Sequence, residues 1–257
     1  MSWHDLLFMH WSVPAEAIRA LVPEPLEIDT FRGRAWLGIV PFRMSDVAPR
    51  FVPGIPWLSA FPELNVRTYV TADDKPGVWF FSLDATNPIA VRIARAFFHL
   101  PYMDARIKLT ESERGFDYVS RRTHRGEPPA ELDVSYKPTS EQFFAKSGTL
   151  EYWLTSRYCL YAANNNGEVL RGEIDHDPWP LQKAECTVNK NTMAEAAGIE
   201  LPDEPPHLLF VNDISVIAWT NQRLSEAADP IKSLALDTPR VGCPSQRSIA
   251  SEGSEAT

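Results

Sequence analysis

At 257 residues the chain has room for one large domain or two small ones, and its 44% hydrophobic and 23% charged residues are ordinary for a soluble globular protein. A formal net charge of -9 argues against a nucleic-acid partner, because phosphate binding needs a basic surface. The cysteines Cys159, Cys186 and Cys243 are odd in number and form no close pair, which excludes a disulfide framework and a zinc signature. No basic region precedes the first apolar run and no run approaches the length of a membrane span, so the expectation is a cytoplasmic protein with no membrane partner. Eight tryptophans and 22 prolines point to bulky packing between short, interrupted elements, a β-rich pattern.

In chain order, Trp3 to Trp11 reads as an amphipathic opening segment, and Pro14 starts a short helix, AEAIRALVP, where proline is well tolerated. Leu26 to Phe31 and Arg34 to Met44 read as a hairpin turning at Arg32-Gly33. Pro41 predicts a bulge or an exposed edge in the second strand. A proline-rich loop, Pro49 to Pro56, leads into two strands, SAFPELNVRTYV and GVWFFSLDA, joined by turn residues Asp73 to Gly77. Asn87-Pro88 opens a helix, IAVRIARAFFHL, that ends at Pro101. Ala105 to Thr110 and Phe116 to Arg122 form a strand pair about Arg114-Gly115, followed by a strand near Leu132 to Tyr136. Glu141 to Leu154 carries a helical pattern with a break at Gly148. Ser156 to Ala162 and Val169 to Asp175 flank Asn164-Asn165-Asn166-Gly167, the clearest hairpin signal in the chain. Ala194 to Ile199 is a short helix, and Leu208 to Trp219 supplies one or two last strands. From Ser225 to Thr257 no aromatic residue remains, and this segment is expected to be a disordered tail behind a single domain over residues 1–224.

The two central strands carry the polar residues of interest. Alternation in an extended chain puts Glu63, Asn65, Arg67 and Tyr69 on one face and Leu64, Val66, Thr68 and Val70 on the other. In the next strand Phe80, Ser82 and Asp84 share a face. The surrounding aromatic residues predict an interior strand, on which Glu63 and Arg67 need partners. They form either a structural ion pair or the floor of a ligand site, able to bind a small acid or move a proton. Arg157, Cys159 and Tyr161 share a face of a later strand. Arg171, Glu173, Asp175 and Asp177 alternate at a strand end without the convergent spacing of a metal site, and read either as a solvated strand end or as Arg171 and Glu173 directed inward. The histidines show no metal or triad spacing, and no nucleophile elbow or phosphate-binding glycine loop is present, so no cofactor is expected. Lys183, after Trp179-Pro180, reads as a lysine snorkelling to water rather than a desolvated amine.

Taken together, LLFMHWSVPAEAIRALVPEPLEIDTFRGRAWLGIVPFRM, SAFPELNVRTYV, GVWFFSLDA, GTLEYWLTSRYCLYA and RGEIDHDPWPLQ resemble the YqjF-like family of uncharacterised bacterial proteins, over nearly everything before the tail. That family looks like a branch of the acetoacetate decarboxylase-like superfamily. The resemblance implies an α+β, mainly β fold: a strongly curved antiparallel sheet, cone or partial barrel, enclosing a cavity, with a few outer helices. In acetoacetate decarboxylases a lysine that follows a proline after a helix forms a Schiff base with the keto acid. The corresponding stretch here, FFHLPYMDARIKL, has Tyr102 and Met103 after Pro101, with Lys108 the nearest lysine. The resemblance therefore implies that Schiff-base decarboxylation is lost, whereas Glu63 resembles the superfamily's cavity glutamate.

The expected site has Glu63 and Tyr102 as catalytic groups and Asn65, Arg67, Asp84, Arg157, Arg171 and Glu173 as ligand-binding residues, with no metal. The expected ligand is a small organic acid or carbonyl compound. Its chemistry would be that of a lysine-independent lyase, hydratase or hydrolase. A non-catalytic binding or sensing module on the same fold is the alternative, and a purely structural polar face a third reading. Exposed aromatic surface is compatible with a homo-oligomer.

Overall fold

The structure is a computed structural model in which residues 1–46 and 60–224 are described. The Pro49 to Pro56 loop and the tail from Ser225 lie outside the described residues. Among the described residues thirteen strands form one continuous sheet: β1 (Ser2–Val13), β2 (Glu27–Ile28), β3 (Ala35–Ser45), β4 (Phe61–Ala72), β5 (Lys75–Ala85), β6 (Tyr102–Ser112), β7 (Gly115–Arg122), β8 (Glu131–Pro138), β9 (Cys159–Ala163), β10 (Val169–His176), β11 (Gln182–Asn191), β12 (His207–Ala218) and β13 (Gln222–Arg223). Four helices are found among the described residues: α1 (Ala15–Arg19), α2 (Pro88–Phe98), α3 (Leu150–Thr155) and α4 (Met193–Ala196).

The sheet is curved enough to close. β5, β6, β7, β8, β11, β12, β1, β3 and β4 run in that order into a nine-stranded barrel, closed by the β4–β5 hairpin. Most pairings are antiparallel, but β5 pairs in parallel with both β6 and β9, so the barrel is mixed rather than wholly antiparallel. β9 and β10 make a second, smaller circuit by joining β5 to β12. The wall β12-β1-β3-β4-β5 is thus covered on both sides, which is why β4 is buried along almost its whole length.

The two faces of this wall bury different cores. Leu7, Met9, Leu37, Ile39, Leu64 and Val66 pack inside the nine-stranded barrel against Tyr118, Leu132, Val134 and Phe210. On the other face Phe8, Val40, Phe42, Leu209 and Val211 pack with Trp179 and Leu181, while Tyr69, Phe80 and Leu83 pack with Leu154 and Ala162. Burial at about 25 cal/mol per Å² of apolar surface makes such residues the main stabilising contribution.

Several local features differ from the sequence reading. The opening segment is the long strand β1, central in the sheet. Leu26 to Phe31 does not form a hairpin with the following strand. Only Phe31 and Arg34 bridge across Arg32-Gly33, and β2 pairs with β4 instead. β3 is not an edge despite Pro41, since β1 and β4 flank it. The missing N–H is accommodated because the β1–β3 ladder is irregular between His4 and Met9, opposite Pro41, where Asp5 takes a positive φ of 56°. The helical pattern of Glu141 to Leu154 yields only the six residues of α3, N-capped by Thr149. β11 carries no strong apolar alternation, and the sequence reading omits it.

Candidate functional site

Glu63 lies on β4, and its carboxyl is 2% exposed. Across the strands it faces Phe42 on one side and Ala85 on the other. Tyr102, the first residue of β6, pairs with Leu83 and brings its hydroxyl 3.0 Å from Glu63 Oε2, to which it donates. The Asn65 side chain also hydrogen-bonds the carboxyl. From the opposite side of the wall, the Tyr118 hydroxyl donates to the Glu63 main-chain carbonyl at 2.8 Å and fixes the backbone there. Burial pushes the Glu63 carboxyl up from 4.5 to about 8, against the opposing effect of the Tyr102 and Asn65 hydrogen bonds. Burial and the neighbouring carboxyl raise the Tyr102 phenol as well. Glu63 is therefore a protonated acid at neutral pH that ionises in the range where general acids and bases work.

Arg67 sits four residues further along the same face. Its guanidinium lies over Phe8, 5.4 Å from the ring centroid, and 5.9 Å from that of Tyr69. Among the described residues no carboxylate pairs with it, and its buried Nε has no hydrogen-bond partner. The row across the sheet explains how it fits. His10 of β1 pairs with Gly38 of β3, which pairs with Arg67 of β4. A Cβ at Gly38 would come within 3.1 Å of the His10 ring and 3.4 Å of Arg67 Cγ, so glycine makes room for both side chains. His10 Nε2 is 2.6 Å from the Tyr69 hydroxyl, and its buried Nδ1 has no partner among the described residues. Burial, reinforced by Arg67 and His207, holds His10 well below its ordinary value, so the ring is neutral. Arg157 closes this end. It lies 4.9 Å from the Tyr69 ring and 4.3 Å from that of Trp153, with Nη1 bonded to Asp29 and a buried Nη2 that lacks a partner among the described residues.

The sequence-predicted residues thus divide. Glu63, Tyr102, Asn65 and Arg67 come together on one face, and Arg157 joins them through Tyr69. Asp84 does not, although alternation placed it on a common face with Phe80. The register steps from Val66↔Ser82 to Arg67↔Phe80, leaving Phe81 as a bulge in β5 that reverses the phase of its side chains. Phe80 stays with Arg67, whereas Asp84 and Ser82 point into the nine-stranded barrel and bind Arg122, with a 2.8 Å ion pair in full burial. Arg171 pairs with Asp73 and the exposed Glu173 with Lys75, so neither directs a charge toward Glu63. The acidic strand end does not converge, and among the described residues no group of three or more His, Cys, Asp or Glu is placed to hold a metal. The six described lysines, Lys75, Lys108, Lys137, Lys146, Lys183 and Lys190, are all exposed. His10 and Tyr69 are the partners that sequence reasoning missed. Their contact spans 59 positions, and the available signal was the alternation of His10 with Phe8 on a strand paired to Gly38.

Comparison with known proteins shows what the chain and its fold resemble. The profile of the family DUF2071, described as "Uncharacterized conserved protein", matches residues 1–215. The chain is 44% identical over 224 residues to the "Uncharacterized protein YqjF" of Bacillus subtilis (strain 168), covering 87% of this chain and 91% of that one. Among solved structures it is similar to the enduracididine biosynthesis enzyme MppR, complexed with the condensation product of pyruvate and imidazole 4-carboxaldehyde. That match has a TM-score of 0.59 and 12% identity over 87% of this chain and 89% of the other. It is also similar to acetoacetate decarboxylase from Legionella pneumophila, with a TM-score of 0.58 and 11% identity over 87% of each chain. At these identities the solved structures show an acetoacetate decarboxylase-like fold. Among the described residues no helix is long and apolar enough to cross a membrane.

Proposed function

The chain belongs to the DUF2071 family, and from the geometry of its buried polar row we propose that it is a lysine-independent lyase or hydratase acting on a small carboxylate that carries a carbonyl group. The observation that carries this reading is the row itself. A protonated Glu63 stands at one end and a buried guanidinium without a carboxylate at the other, and Asn65 Oδ1, Arg67 Nε and His10 Nδ1 are buried polar atoms with no partner among the described residues. Buried polar groups are ordinarily satisfied, and three on one face mark a place built to receive polar atoms from elsewhere. At roughly 3.3 Å per residue, the backbone of Glu63 and Arg67 is separated by about 13 Å, a span suited to a small molecule.

Each residue has a role in this scheme. Arg67 receives the carboxylate, with the neutral His10 and Tyr69 fixing its guanidinium. Ionised Glu63 removes a proton from the carbon next to the carbonyl. The electron pair moves onto the carbonyl oxygen, which accepts a hydrogen bond from the Tyr102 hydroxyl. As the carbonyl re-forms, a carbon–carbon double bond forms, the bond to a β-hydroxyl breaks, and the hydroxyl takes the proton from Glu63 and leaves as water. Pyruvate, with no such leaving group, only exchanges its protons. The exposed lysines support a route without a Schiff base. MppR, whose fold is similar, is complexed with a pyruvate-derived product, which supports the size and class of ligand.

The test is deuterium exchange into the methyl group of pyruvate and of larger keto acids in deuterium oxide, followed by proton NMR. Exchange is expected to rise with pH through about pH 8 and to level off above it, following ionisation of Glu63, and to disappear in Glu63→Gln. Ligand-induced stabilisation without exchange in the wild type would instead favour a binding or sensing module. Exchange that persists in Glu63→Gln would refute the assignment of the proton-transferring group.

A further inference from the structure

We propose that the surface cleft between the Phe31–Trp36 segment and the start of α3 is a second ligand site, one that takes a planar aromatic carboxylate. The cleft encloses about 470 Å³ and is lined by Phe31, Arg32, Arg34, Trp36, Thr149 and Leu150, with Gly148 at its edge. That volume falls within the roughly 300–1,000 Å³ of small-molecule sites. Its walls combine flat apolar surface with donors. Phe31, Trp36 and Leu150 supply the apolar surface, and two guanidiniums supply charge. Arg32 lies over the Phe31 ring, 5.3 Å from its centroid, and Arg34 is held by Ser12, whose hydroxyl accepts from Nε at 2.9 Å.

Three observations select an aromatic acid. First, among the described residues neither Arg32 nor Arg34 forms an ion pair, and Asp29, the carboxylate on the same segment, is engaged by Arg157. Two unpaired guanidiniums in one cleft, on a chain of net charge -9, make a local positive site against a negative molecule. Second, the accessible lining is mostly apolar, with Phe31, Trp36 and Leu150 among its residues, so a ring rather than a bare anion suits it. Third, two rings flank two guanidiniums along the chain, Phe31, Arg32, Arg34 and Trp36, across a turn in which Arg32 takes a positive φ of 53° and Gly33 one of 76°. A flat ring stacks on such a surface while its carboxylate bridges the two forks. The proposal does not rest on Glu63 or on the chemistry proposed there, although Trp36 and Leu150 pack in one apolar cluster with Tyr69.

The test uses benzoate as the probe, with benzyl alcohol and acetate as the neutral and ringless counterparts, in NMR titrations of the full chain. Benzoate is expected to bind, and the two counterparts to bind at least about tenfold more weakly, the loss of one charge-assisted contact or of the ring. Arg32→Gly, which suits the positive φ, and Arg34→Gln are each expected to weaken benzoate by about tenfold. Ser12→Ala keeps the charge but frees Arg34, and a smaller loss is expected. All three positions are at the surface, and a melting curve of each variant checks that it folds. Glu63→Gln and Arg67→Met are expected to leave benzoate affinity unchanged. Absence of benzoate binding, equal binding of benzyl alcohol, or loss of binding in Arg67→Met with retention in both surface arginine variants would each overturn the proposal.

Discussion

Replacing Glu63 with glutamine should remove the pH dependence that this carboxyl gives to folding. In the folded chain Glu63 keeps its proton up to about pH 8, while the ordinary value is 4.5. Between those limits the unfolded chain has released a proton that the folded chain still holds, so stability falls as pH rises. The contribution is fully present below 4.5 and lost as pH climbs through about 8. At about 1.4 kcal/mol per pH unit the whole interval is worth on the order of 5 kcal/mol, and about 3 kcal/mol of it accrues between pH 5 and pH 8. The glutamine would keep the shape and an oxygen for the Tyr102 hydroxyl while removing the titration. Urea unfolding of both proteins at pH 5, 6, 7 and 8 measures the difference, in which all other titrating groups cancel. The wild type should lose about 3 kcal/mol relative to the variant across that series. Parallel curves would show that Glu63 titrates as an ordinary carboxyl, and the proton-transfer role would fall with that result.

Other substitutions probe the neighbours. Tyr102→Phe removes a hydrogen bond that favours the ionised carboxyl, so Glu63 should titrate even higher, at a stability cost of about 1 kcal/mol. The same urea series reads both effects. Arg122→Met strands Asp84 in full burial and should cost about 3–5 kcal/mol in equilibrium unfolding. Adding Asp84→Asn should recover part of that loss, since the two residues are one unit. Gly38→Ala drives a methyl against the His10 ring and Arg67, and should lower stability by about 1–3 kcal/mol while weakening ligand binding.

The β4–β5 hairpin was legible because its pattern is local. Alternation gave the face that carries Glu63, Asn65 and Arg67, and Asp73 and Asp74 both adopt positive φ in the turn between the strands. Tyr102 was legible only through family resemblance, since nothing local distinguishes that tyrosine from a packed one. Asp84 was misplaced because a single bulge at Phe81 reverses side-chain phase, and a bulge leaves no mark in an apolar pattern. Arg171 and Glu173 alternate as expected, but their partners Asp73 and Lys75 come from the far end of another hairpin. Pro41 predicted a bulge or an edge in its own strand, but β3 is interior and the extra residue of the ladder lies in β1. The closure of the sheet depends on short parallel pairings of β5 with β6 and β9, contacts between segments far apart in the chain that no periodicity encodes.

The most direct test of the central claim is a thermal melt of the purified chain with and without pyruvate, in parallel with Arg67→Met. A ligand that binds only the folded state raises the melting temperature by mass action. The account predicts an upward shift that grows with pyruvate concentration in the wild type and vanishes in Arg67→Met. An equal shift in both proteins, or none in the wild type across small keto acids, would contradict the assignment of the buried row as a carboxylate site.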